Sequence, residues 1–150
     1  MMINSLPDIS QAEIEIMRVV WHNQPLTSRQ IIDTLIPISD WKEGTIKSLI
    51  NRLIQKDWLI QDARQRPYII TSRMPAQEVL WDRIFQEYQL VCTKERGQLL
   101  YDLINETNLN QEDCQKLKQL IEEKSAIAPQ TVTCQCPKGQ CTCHTIHKKE

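Results

Sequence analysis

The chain has 150 residues, of which 41% are hydrophobic and 25% charged, with a formal net charge of -1. Those values are ordinary for a soluble globular protein of one domain, or of a small domain with an accessory region, and the charge does not by itself announce a nucleic-acid binder. No apolar run is long enough to cross a bilayer and the amino terminus lacks the basic-then-apolar pattern of a signal peptide, so no membrane partner is expected and the expected compartment is the cytoplasm.

Only three glycines occur, which suits a strongly helical protein because glycine is costly inside helices. Ser10-Gln11-Ala12-Glu13 opens the first predicted helix, roughly residues 10–22, with Ile14, Met17 and Val20 or Trp21 at helical spacing. Asn23-Gln24-Pro25 breaks it. Thr27-Ser28-Arg29-Gln30 has the capping-box pattern of a second, short helix that buries Ile31, Ile32 and Leu35 and stops before Pro37. A turn at Ile38-Ser39-Asp40 leads into the most regular stretch, a helix from about Glu43 to Lys56 whose apolar face is Ile46, Leu49, Ile50, Leu53 and Ile54. Its other face carries Lys42, Thr45, Lys47, Ser48, Asn51, Arg52 and Lys56. Most polar helix faces are simply solvated, but short polar and basic side chains also suit base edges and phosphates.

Trp58-Leu59-Ile60 and Tyr68-Ile69-Ile70 are β-prone and flank a turn bearing Arg64 and Arg66. Three helices followed by such a hairpin describe a winged helix-turn-helix, in which the third helix enters the major groove of DNA and the wing follows the backbone. Pro67 is expected to restrict strand pairing at the wing tip. The expected architecture is therefore mainly α: a winged-helix DNA-binding domain over 1–73, a helical dimerisation region over 74–124, a flexible linker over 125–133 and a cysteine-rich tail over 134–150. The helical region contains three amphipathic segments: Pro75 to about Cys92, Lys94–Asn105, and one capped near Asn110 that runs to about Lys124. They either fold back on the first domain or pair with a second copy. Two-fold operators favour the homodimer.

Four of the six cysteines fall in the tail, as Cys134-x-Cys136 and Cys141-x-Cys143 around a spacer containing Pro137 and Gly139. A turn there brings the two pairs together, and four convergent thiolates form a soft site of the kind that selects Zn(II) or Cu(I) over hard cations. A disulfide staple would need an oxidising compartment. Cys92 and Cys114 are read as small buried hydrophobes outside the site, His144 and His147 as tail histidines, and Trp21, Trp41, Trp58 and Trp81 as core or domain-contact residues. No Ser/His/Asp constellation, phosphate-binding glycine loop or paired-carboxylate site is present, so no enzyme and no small-molecule substrate are expected.

The stretches Ile9 to Trp21 and Trp41 to Leu53 resemble the penicillinase-repressor (BlaI/MecI-like) family, and the C-x-C-x4-C-x-C tail resembles its copper-responsive CopY-type branch. The resemblance implies a winged-helix homodimer that represses copper-export genes by occupying double-stranded operator DNA. It further implies that a zinc-bound form holds DNA and a Cu(I)-bound form releases it. On it, Thr45, Lys47, Ser48 and Arg52 match DNA-facing positions, while Cys134, Cys136, Cys141 and Cys143 match metal ligands. Ile14, Gly44 and the wing sequence Gln65-Arg66-Pro67-Tyr68 depart from the family pattern. Were one zinc or two Cu(I) ions to occupy the same four thiolates, the site would carry the same charge in both states, so the signal would be one of shape. Two rivals remain: a repressor inactivated by proteolysis in response to antibiotics, and a copper-buffering or thiol-redox protein using a winged helix to bind protein.

Overall fold

The structure, a computed structural model, describes residues 8–144. His147 lies outside them.

Helix α1 (Gln11–Asn23) begins at a complete capping box. The Ser10 hydroxyl accepts from the Glu13 amide, and the Glu13 carboxylate accepts from the Ser10 amide at 2.8 Å, so two otherwise orphaned donors are satisfied reciprocally. Helix α2 (Ser28–Leu35) starts the same way, with Thr27 and Gln30 as the box. Pro37 then enters a single 3-10 turn, Ile36–Ile38. Helix α3 (Glu43–Gln55) follows, close to its expected bounds, and buries Ile46, Leu49, Ile50 and Leu53. Its carboxyl end closes through Asp57, held in the left-handed region at φ 60, which lets the Trp58 amide reach the Leu53 carbonyl at 2.9 Å. Glycine commonly fills that capping position.

Three strands form an antiparallel sheet in the order β1-β3-β2. Strands β2 (Leu59–Asp62) and β3 (Ile69–Ser72) are the predicted hairpin, shifted towards the carboxyl end, with Leu59 opposite Ser72 and Asp62 opposite Ile69. Pairing stops at Asp62 and Ile69, leaving Pro67 in the tip. Strand β1 (Leu26–Thr27) was not expected; it pairs Leu26 with Ile70 and Thr27 with Ile69. Two residues carry no alternation, so nothing in the sequence marks them as a strand. Side chains from α1, α2, α3 and the sheet interleave in one core around Ile16, Met17, Ile31, Leu53, Trp58 and Ile70. Trp21 and Trp41 pack against that core, and the Trp21 ring nitrogen donates to the Ser72 hydroxyl and the Met74 carbonyl. Trp81 departs from expectation: it is 59% exposed.

Helix α4 (Ala76–Gln89) leads out of this domain. The chain divides into two compact units, one ending at Phe85 and the other starting at Gln86. The division therefore falls inside α4, and each unit is described by itself. In the second unit, α5 (Arg96–Glu106) and α6 (Gln111–Ile127) follow, α6 capped by Asn110, whose side chain accepts from the Asp113 amide. Helix α6 continues to Ile127, so the first residues of the expected 125–133 linker are helical. Among the described residues, no helix is long and apolar enough to cross a membrane.

Candidate metal centre and nucleic-acid interface

Helix α3 and the wing place all eight candidate DNA-facing residues on the surface: Lys42, Thr45, Lys47, Ser48, Asn51, Arg52, Arg64 and Arg66 are each exposed. They are not electrostatically equivalent. Lys47 lies 2.6 Å from Glu43, one helical turn back, and Glu43 also contacts Arg29 at 3.3 Å. The hydrogen bond from Lys47, then the Arg29 charge, hold the Glu43 carboxyl below its usual range. Exposed pairs of this kind are weak, so Lys47 can turn to a phosphate at little cost. Arg52 sits 3.9 Å from the buried Glu13 carboxylate, which Lys56 grips at 2.9 Å. In the wing, Arg64 binds Asp62 at 2.7 Å, and that hydrogen bond brings the Asp62 carboxyl down to about 2. Arg66 lies over the Tyr68 ring, 5.4 Å from its centroid. The Ser48 hydroxyl donates to the Gly44 carbonyl.

The tail cysteines converge as expected, and they do not converge alone. Cys134 Sγ lies 3.4 Å from Cys141 Sγ and 3.5 Å from Cys92 Sγ, and the Cys136 amide donates to Cys134 Sγ. Ligand atoms of Cys92, Cys134, Cys136 and Cys141 all lie within 4.8 Å of one another. No disulfide forms among the described residues. Such a bond needs a sulfur separation of about 2.0 Å, whereas four thiolates around zinc, bonded at about 2.3 Å, stand about 3.8 Å apart. The observed spacing fits the second arrangement, and the cluster can hold a metal ion.

This quartet differs from the set read in the sequence. Cys92 is buried, as expected of a small hydrophobe, with 5% of its surface exposed, but its sulfur belongs to the cluster. Cys143 is close by: burial and the neighbouring Cys92, Cys134 and Cys141 push its thiol up to about 11. Burial, then Cys134, Cys92 and Cys141, push Cys136 up to about 12. Cys92 moves the other way, lowered chiefly by the Lys94 amide that donates to its sulfur. Nothing in the local sequence marks Cys92, because it lies far from the C-x-C pairs and at the end of an amphipathic segment. Cys114 lies outside the cluster as expected, but it is exposed on α6 and not buried as a small hydrophobe would be.

Three helices, the third leading into a β-hairpin, define a winged helix-turn-helix protein. The chain belongs to the penicillinase repressor family, whose sequence profile matches residues 9–123, and this makes it a DNA-binding repressor and not an enzyme. An uncharacterized 16.5 kDa protein of the ptsI 3′ region in Latilactobacillus sakei is 36% identical, over 95% of this chain and 97% of its own length. The penicillinase repressor of Bacillus licheniformis is 23% identical over 81% of this chain and 94% of its own, and MecI, the methicillin resistance regulatory protein of Staphylococcus aureus, 22% over 82% and 100%. Among solved structures, the DNA-binding domain of the repressor BlaI covers 48% of this chain and 88% of its own at 30% identity, with a TM-score of 0.44. The matched family region ends ahead of Cys134.

Proposed function

We propose that this protein is a metal-responsive repressor that binds operator DNA as a homodimer in the cytoplasm. Zinc at the tail cysteines favours the DNA-bound state, and Cu(I) in its place releases it, derepressing copper-export genes. The observation that carries this reading is the thiol cluster joined to a repressor-family winged helix. Lys42, Thr45, Lys47, Ser48, Asn51 and Arg52 on α3 contact the major groove and its phosphates, while Arg64 and Arg66 follow the backbone from the wing. Support for a second copy comes from the apolar side chains that α5 and α6 leave in solvent, among them Leu100, Tyr101, Leu103, Leu120 and Ile121.

Bound Zn(II) would draw four sulfurs around one tetrahedral centre, whereas Cu(I) at the same thiolates would be held by fewer sulfurs per ion, some of them shared between ions. The tail responds by changing the arrangement of its two C-x-C arms, and the dimer spacing that fits two half-sites is lost. Copper outcompetes zinc at soft ligands, so a zinc-resting site can be triggered by a scarcer ion.

Replacing Cys134, Cys136, Cys141 and Cys143 together with serine tests the reading in cells that carry a reporter under the repressor's own operator. The regulated-repressor account predicts a folded protein whose repression no longer responds to copper. A copper response that survives the substitution would contradict it, and a reporter that ignores copper in the wild type as well would favour the proteolytically inactivated type of repressor. Loss of copper tolerance with no change in reporter expression would favour a copper buffer.

A further inference from the structure

We infer that Cys92 is a ligand of the metal centre, so that metal binding fastens the cysteine tail to the corner that follows α4. This deepens the proposed function and rests on its metal-binding tail. The sulfur of Cys92 is already in contact distance of Cys134 and within the spacing of a four-sulfur site.

The corner that presents Cys92 is well held. Arg96 donates to the Val91 carbonyl at 3.0 Å and to the Gln89 carbonyl at 3.1 Å, and its guanidinium lies 4.9 Å from the Tyr88 ring centroid. The Glu95 amide bonds the Cys92 carbonyl at 2.8 Å. Carbonyls at the end of α4 that would otherwise lack partners are thereby satisfied, and Cys92 is offered from a fixed backbone. The tail supplies the other sulfurs, and Cys134 and Cys143 line an open cavity of about 710 Å³ with Lys94 and Thr131, Val132 and Thr133.

The consequence is mechanical. A tail that ligates metal only through its own four cysteines is a self-contained knot beyond α6, with no grip on the rest of the chain. One ligand at Cys92 makes the same ion a crosslink between residues 42 positions apart in sequence, next to the helix that leads back to the DNA-binding domain. Each thiol that ligates gives its proton to solvent, and no redox step is involved.

The full chain under reducing conditions provides the test. With an NMR-active cadmium isotope as the probe, metal–proton correlation should show the β-protons of Cys92 coupled to the ion beside those of tail cysteines. In parallel, Cys92→Ser should weaken zinc binding by about tenfold or more, the least that loss of a supporting residue around a metal costs; Cys114→Ser should leave it unchanged. Coupling confined to Cys134, Cys136, Cys141 and Cys143, with wild-type zinc affinity in Cys92→Ser, would overturn the inference and leave the proposed function intact. Coupling to Cys92 in a protein whose DNA affinity ignores the metal would do the reverse. The cadmium experiment uses the wild-type chain, so it decides the matter even if Cys92→Ser does not fold.

Discussion

Glu13 is fully buried yet charged, and two neighbours explain why it stays so. Burial alone would push its carboxyl up, but the Ser10 amide and the Lys56 ammonium more than offset that and hold it below the ordinary value of 4.5. A group lowered in the folded state stabilises fully above its unfolded value, and that stability is lost as the pH falls through the folded one. Glu13→Gln should therefore cost about 2 kcal/mol at neutral pH, less than for a fully buried pair because Lys56 remains 35% exposed. It should also flatten the loss of stability below the ordinary glutamate range. Urea unfolding across pH checks both, and an unchanged acid limb would show that Glu13 is not the group responsible. The sequence marked Ser10 to Glu13 as a helix start, and the structure shows it to be a complete capping box. The partnership with Lys56 was not visible in the sequence, because it joins residues 43 apart through the packing of α1 on α3.

At the scale of elements, α3 and the wing should contribute differently to DNA binding. Lys47 and Arg64 both have partly exposed acidic partners, but Lys47 meets Glu43 at one point and shares it with Arg29, whereas Arg64 holds Asp62 through both Nε and Nη2. Lys47→Ala should weaken binding uniformly across DNA sequences and reduce the salt slope by about 1. Arg64→Ala should do less, since its two-point pair with Asp62 must be given up before it can reach a phosphate. Asn51→Ala should cost about 1–3 kcal/mol and relax specificity if that side chain reads a base edge. Affinity measured at several salt concentrations separates the three; a larger salt-slope change from Arg64 than from Lys47 would reverse the ranking. The bounds of α3 were legible because five apolar residues recur on one face. Strand β1 was illegible because two residues have no period, and α6 overran its expected end because Ser125-Ala126-Ile127 can extend a helix as readily as begin a linker.

For the whole molecule, the sequence carried the order of parts but not the fifth cysteine. Two C-x-C pairs announce a soft site by spacing alone, whereas Cys92 joins them only when the chain returns from the end of α6 to the corner after α4. Apolar exposure tells a similar story. The stripes on α5 and α6 were readable as amphipathic, and in one copy of the chain they remain in solvent, with Leu103 54% and Ile121 56% exposed. Those faces, the repressor-family domain and the thiol cluster together make the metal-responsive dimer the central claim. It is tested most directly by DNA binding at fixed salt under reducing conditions, using a duplex selected from a random-sequence pool by the zinc-loaded protein. Titration of that complex with Cu(I) should release the DNA, while added zinc should not. Equal affinity of the zinc- and copper-loaded forms for the duplex would contradict the account.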